Sequence, residues 1–233
     1  IKDKKVKWIK DFNKLIGPVI FFGNEFFDAI PIKQFIKKGK KYFEKYYTVE
    51  RDKILYETFE KAKLSDINKI ETFKVFNKKE FIEYPKLGFL ELDRITNIIN
   101  ENSGGILLID YGYLNFKNKN TLQAVMDNKK VSMRNLSKKF GKVDITYLVN
   151  FNLLKEYFLK NNLKVKNIVS QKFFLEKMGI IERAKILEKR MNDKQKDYMN
   201  LTLFRLLHKE LMGDLFKVIF AYKNKNKNFL GFD

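Results

Sequence analysis

Two short apolar segments constrain this chain more than any other feature. VIFFGN follows the break at Gly17-Pro18, and GGILLIDYGY follows LGFLELDRITNIINENSGG, a stretch with helical periodicity that stops at glycines. Neither segment alternates apolar with polar residues. A continuous apolar run of this length, bounded by turn residues, is the pattern of a fully buried strand of a parallel sheet. Parallel strands need a long crossover, and the helical stretch between the two segments supplies one. The expected fold class is therefore α/β.

Both segments end in polar groups. Asn24, Glu25 and Asp28 follow the first, and Asp110 closes the second. Ligands of open α/β sheets bind beyond the carboxyl ends of the strands, so these residues are candidates for chemistry. Asn24 or Asp28 could equally cap a following helix, because both side-chain types accept from free N–H groups. Spacing alone leaves the two readings open.

The remaining pattern divides the chain. From Ile32 to about Lys63, aromatic and β-branched residues with turn signals at Gly39 and Arg51-Asp52 predict two or three antiparallel strands. Residues 32–85 are thus expected to form a β-rich insert between residues 1–31 and 86–233 of the core. KKGKK reads as a solvated hairpin tip. Residues 112–142 are polar and predict a long loop with some local structure. VDITYLV reads as a short extended piece. Asn150 is placed to cap a helix over FNLLKEYFLKNN. VKNIVSQ predicts a strand, KFFLEKMGI a helical turn, residues 181–210 helix, DLFKVIFAYK a last strand, and KNKNKN a solvated loop.

Composition removes several function classes. The 233 residues include no cysteine, so disulfides and thiol chemistry are excluded. With His208 as the only histidine, a zinc site of the usual kind is not expected. His208 lies in LFRLLHKELMG, a helical apolar context that predicts a packed or surface role. No stretch is apolar and long enough to span a membrane, and no signal-peptide pattern opens the chain. The chain starts at Ile1 in what reads as the middle of a domain, so further residues upstream are expected. Walker-type phosphate loops, G-x-S-x-G elbows and G-x-G-x-x-G turns are all missing from the sequence. The formal charge of +20 points to nucleic acid or to compositional drift. Drift is favoured: all but six of the 48 basic residues are lysines, scattered along the chain, whereas fork-shaped recognition of phosphate favours arginine.

GPVIFFGNEFFDAIP, GGILLIDYGY, TLQAV, VDITYLVNF, QKFFLEKMGI and MGDLFKV, with a terminal GF, occur in the order and spacing of the MidA-type family, which this chain resembles over nearly its whole length. These are S-adenosylmethionine-dependent methyltransferases, tied in mitochondria to complex I assembly through methylation of a protein arginine. The resemblance implies the later strands of a class I, Rossmann-like methyltransferase sheet with an antiparallel β insert and a helical C-terminal part. It implies S-adenosylmethionine as cofactor and a partner protein carrying a target arginine, a complex I subunit by analogy. It also implies a cytoplasmic location in a bacterium or the mitochondrial matrix, with a homodimer as one expected assembly. The family's glycine-rich cofactor turn, E-x-G-x-G, lies upstream of the matching strand.

The resemblance also assigns roles. Asn24 would face cofactor and substrate, Glu25 would grip a guanidinium bidentately, and Asp28 would assist or cap. Asp110 and Tyr111 match D-Y-G and would line the substrate cleft, and Asp144 matches the acid of D-[LI]-T on the substrate side. Tyr147 and Asn150 stand where the family often has histidine and aspartate, and Met126, Asp127 and Asn128 replace a basic or histidine-rich stretch. Two other function classes stay open at this level: an inactive relative that serves as a binding or assembly protein, and a basic RNA-binding protein.

Overall fold

The computed structural model describes residues 6–12, 15–50, 54–115, 118–127, 129–139, 141–224 and 228–232. The two apolar segments lie side by side. β1 (Val19–Asn24) pairs in parallel with β6 (Gly104–Tyr113), from Val19 opposite Gly104 to Asn24 opposite Ile109. This register brings the end of β1 level with the residue before Asp110. On the other side of β6, β13 (Phe216–Lys223) runs antiparallel. The sheet order is β1-β6-β13-β11, with β11 at Lys164–Val165. β12 (Val169–Ser170) adds to β13, and β10 (Val149–Asn150) adds to the carboxyl end of β6.

The crossover into β6 is α2 (Lys86–Asn102), as its periodicity predicts. Ser103 (φ 65°) and Gly104 (φ 114°) then turn the chain into the strand. A Cβ on Gly104 would lie 1.8 Å from the Val19 carbonyl oxygen, so the parallel pair closes only over glycine. β1 departs from the expectation of a fully buried strand. Phe21 packs on the core, but Ile20 and Phe22 are 66% and 65% exposed. Among the described residues β1 pairs only with β6, and the cluster around Phe174, Phe220 and Phe232 packs with Leu107 and Ile109 but not with Ile20 and Phe22.

Three strands fall in the stretch from Ile32 to about Lys63, as its pattern predicts, and a fourth strand of the insert lies beyond it. β2 (Lys33–Lys38), β3 (Lys41–Val49), β4 (Leu55–Lys61) and β5 (Phe81–Tyr84) form an antiparallel sheet in the order β4-β3-β2-β5. β5 has only four residues, too few for alternation to stand out. KKGKK is the β2–β3 turn, and the Arg51-Asp52 turn lies outside the described residues. Between β4 and β5, α1 (Leu64–Glu71) carries Asp66, whose buried carboxylate bonds Lys33 (2.7 Å) and Lys86 (2.6 Å). Phe35, Ile70, Phe73 and Ile82 of the insert share one apolar cluster with Ile106, Leu108 and Ile219 of the main sheet. The insert is therefore continuous with the core.

Part of the segment expected as a loop is sheet. β7 (Gln123–Met126), β8 (Lys129–Val131) and β9 (Asp144–Thr146) form a small antiparallel sheet, with Ala124 and Leu136 packed on Leu55 of β4. Asn128 lies outside the described residues. α3 (Phe151–Lys160) starts where predicted, with the Asn150 carboxamide oxygen accepting from Leu153 N–H at 3.1 Å. α4 (Gln171–Lys177), α5 (Ile180–Glu188) and α6 (Asp193–Leu207) precede β13. His208 ends α6, its ring on Phe204 and its Nδ1 accepting from Glu210 N–H, which is a structural role. The middle of KNKNKN lies outside the described residues. Among the described residues no helix is long and apolar enough to cross a membrane.

Candidate active site at the carboxyl end of the sheet

β1 ends at Asn24, and the chain leaves the sheet through a tight turn. Glu25 sits at φ 47°, in the left-handed region, which costs a residue with a Cβ about 1 kcal/mol. Its N–H donates to the Ile109 carbonyl at 3.0 Å. The turn splits the motif by burial. Asn24, Glu25 and Phe26 are exposed, while Phe27 and Asp28 are buried. The Phe27 ring lies against the first turns of α2, where a Cβ on Gly88 would come within 2.7 Å of it. That close approach accounts for a glycine inside a helix, a placement that otherwise costs about 1 kcal/mol.

Asp110 holds this turn from the neighbouring strand. It is 1% exposed. One carboxylate oxygen accepts from Phe27 N–H (2.9 Å) and Asp28 N–H (3.2 Å), and the other accepts from Tyr111 N–H (2.9 Å). Burial and the nearby Asp28 carboxylate push Asp110 up to about 7, against the three N–H groups that favour its anion. The carboxylate thus faces backbone, whereas the resemblance implied a cleft-lining group. Tyr111, half-buried, donates its hydroxyl to Asp28 and packs edge-on against Phe216. Burial and that bond to Asp28 raise its phenol above the ordinary tyrosine value.

Helix capping by Asn24 or Asp28 is not what happens. The chain continues into β2, and the Asp28 carbonyl accepts from Tyr147 N–H at 3.3 Å. Asn24, Glu25, Asp28, Asp110 and Tyr111 are therefore gathered into one strand-tip cluster. Asp144 sits apart on the exposed start of β9, two residues before Thr146, whose hydroxyl bonds Tyr111.

Sequence reasoning missed the support beneath the cluster. Glu83 of β5 is buried and accepts from Gln34 (2.9 Å), Thr121 N–H (2.9 Å) and the Thr121 hydroxyl (2.6 Å). The Thr121 hydroxyl in turn accepts from Leu148 N–H at 3.1 Å, so the insert is tied to the segments around β7 and β10. TLQAV was the only available signal for this brace. Tyr147 is buried, and its hydroxyl has no hydrogen-bond partner among the described residues. Burial first, then the Asp110 and Glu83 carboxylates, raise it well above the ordinary value. Among the described residues no acidic or histidine cluster suits a metal ion.

This arrangement presents a carboxamide and a carboxylate to solvent at the carboxyl end of β1, on a backbone fixed from below. A carboxamide both donates and accepts, and a carboxylate suits a cation. Such a donor set can hold a polar group beside a cation.

Comparison with known proteins gives the same direction. Residues 1–169 match the model of a family described as "Putative S-adenosyl-L-methionine-dependent methyltransferase". A curated relative, the mitochondrial protein arginine methyltransferase NDUFAF7 homolog of Caenorhabditis elegans, is 26% identical over 216 residues, which are 90% of this chain and 48% of the relative. A Burkholderia thailandensis COG1565 superfamily protein solved with S-adenosyl-homocysteine superposes with a TM-score of 0.72 at 17% identity, covering 97% of this chain and 57% of that one. A native crystal structure of a COG1565 protein from the same organism gives 0.73 at 18% identity, over 93% and 58%. The chain therefore spans about half the length of the relatives it matches, and it has their Rossmann-like fold. It belongs to the MidA-type family of S-adenosylmethionine-dependent methyltransferases.

Proposed function

We propose that this protein, at its natural length, transfers a methyl group from S-adenosylmethionine to an arginine of a partner protein. One observation carries the reading. Asn24 and Glu25 stand exposed at the tip of β1, while Asp110 fixes the two residues after Phe26 through their backbone N–H groups. The name of the nematode relative supports arginine as the acceptor.

When bound, S-adenosylmethionine would supply an electrophilic methyl on a sulfonium. Asn24 is the residue present that would hold it, through its carboxamide. Glu25 receives the guanidinium, drawing the positive charge toward two of its nitrogens so that the third regains nucleophilic character. A charged, delocalised guanidinium is otherwise a poor nucleophile, so positioning and electrostatics do most of the work. Asp28 and Tyr111, bonded to each other, back the turn, and Asp110 acts as a positioning residue. Asp144 on β9 offers a second carboxylate on the substrate side. The insert over residues 32–85 forms a wall of the cleft against the core of 1–31 and 86–233. By analogy with the family, the partner is a complex I subunit, met in the mitochondrial matrix or in the cytoplasm of a bacterium.

The test uses the protein at its natural length, labelled S-adenosylmethionine and candidate partner proteins, with methylarginine read by mass spectrometry. Glu25→Gln is expected to lower transfer about a hundredfold while calorimetry shows cofactor affinity unchanged within about twofold. A fully active Glu25→Gln protein would overturn the role of Glu25. Absence of cofactor binding by the unmutated protein would overturn the enzyme reading and leave an assembly protein.

A further inference from the structure

The strongest feature outside the strand-tip cluster is the helical pair α5 and α6. α6 has no buried residue along its 15 positions. Its form is set locally by a capping box, with Asn192 accepting from Gln195 N–H and the Gln195 side chain accepting from Asn192 N–H, both at 3.0 Å. Yet the helix is rich in apolar residues that no described segment covers. Tyr198, Leu201 and Phe204 are 75%, 69% and 56% exposed, and Leu187 of α5 is 41% exposed. Contiguous exposure of this kind marks an interaction surface.

The two helices enclose an open groove of about 670 Å³. Ile180, Ala184 and Leu187 line it from α5, and Met199, Leu203 and Leu206 line it from α6. Both sets follow the spacing i, i+4, i+7. The two seams face the same groove, α4 packs on both helices, and the shape that would fill the groove is a further helix with the same spacing. The groove does not suit a small molecule: every polar residue lining it is exposed, so no buried polar group would orient one. Charge narrows the occupant further. The charged residues of the lining are Arg183 and Lys194, with no carboxylate among them. A second copy of this chain would bring the same two cations and a net charge of +20 against them.

We infer that the α5–α6 groove docks an amphipathic helix of a partner protein, one whose apolar stripe is flanked by acidic residues. α6 is about 22 Å long at the usual rise, so the docked helix needs roughly four turns. This site is separate from the strand-tip cluster, and the inference holds whether or not methyl transfer occurs.

The test uses the protein at its natural length and two fluorescent peptides of about 16 residues. Both carry leucine at i, i+4, i+7 and i+11, one with glutamate flanks and one with lysine flanks. Fluorescence anisotropy at moderate salt is expected to show saturable binding of the glutamate peptide, about tenfold tighter than the lysine peptide. The double substitution Arg183→Glu and Lys194→Glu is expected to reverse that order. Both side chains are exposed, so the thermal melt should not move. Leu203→Asp is expected to abolish binding of either peptide. Equal affinity for the two peptides, an order unchanged in the double variant, or no saturable binding would each overturn the inference. So would sedimentation showing a dimer that Leu203→Asp dissociates, because the occupant would then be a second copy.

Discussion

Asp110→Asn tests the clamp more directly than any substitution in the exposed turn. The group begins near 3.8 in an unfolded chain and is pushed up to about 7 in the folded protein, by burial and by Asp28. A raised carboxylate binds its proton more tightly when folded. Its contribution to stability is therefore complete below about pH 4 and is lost as the pH rises through about 7. From the two values, the contribution falls by about 3 kcal/mol between pH 5 and pH 8.5. Asparagine cannot titrate. It also offers one oxygen to Phe27 and Asp28 N–H but turns an NH2 toward Tyr111 N–H, which costs about 1 kcal/mol at every pH. Urea unfolding of the two proteins should show the stability difference shifting by about 3 kcal/mol against the unmutated protein between pH 5 and pH 8.5, more than the roughly 1 kcal/mol that asparagine costs. Other groups titrate equally in both proteins and cancel in the difference. Parallel curves would mean that Asp110 stays ionised throughout, held by its three N–H donors, and that Asp28 does not act on it as argued.

Three further substitutions separate support from chemistry. Glu25→Gly relieves the left-handed strain and should raise stability by about 1 kcal/mol while methyl transfer is lost; a drop in stability would mean that the carboxylate itself holds the turn. Tyr147→Phe removes a buried hydroxyl that has no partner among the described residues and should stabilise by about 1 kcal/mol in thermal unfolding; destabilisation would show that the hydroxyl is bonded in solution. Asp66→Asn strips a buried carboxylate from Lys33 and Lys86 and should cost about 3 kcal/mol, and a neutral result would show that solvent screens both lysines.

What the sequence made legible was mostly local. The crossover over α2 was readable because Lys86–Asn102 keeps a helical period and ends at two glycines, and the cap of α3 because Asn150 precedes an apolar period. The exposure of Ile20 and Phe22 was not readable, since an apolar run looks the same whether one or both of its faces are covered. β5, β7 and β8 were missed for a related reason. Strands of three or four residues are set by their neighbours, here β2 and Leu55 of β4, rather than by their own pattern. The acids of the site were visible because carboxylates at strand tips are conspicuous. Their separate tasks were not, because burial decides which carboxylate meets solvent, and Asp110 and Glu25 differ in burial far more than in sequence context.

The backbone of the turn explains why these tasks must be divided. Glu25 holds a strained conformation, and strain of this kind persists only where the surroundings overdetermine it. Three independent contacts do so here: Glu25 N–H on the Ile109 carbonyl, the Asp110 carboxylate on the N–H groups of Phe27 and Asp28, and the Phe27 ring seated on Gly88. Each comes from a different place, namely the preceding β6 residue, the buried acid and α2. A carboxylate that bonded the substrate could not also accept all three N–H groups, so the clamp and the grip require two acids. Placing the clamp inside the sheet fixes the exposed side chains of Asn24 and Glu25 relative to β6 before any ligand arrives, which is the condition for catalysis by positioning. Relaxing the turn should therefore leave a folded, often more stable protein whose exposed carboxylate points nowhere in particular.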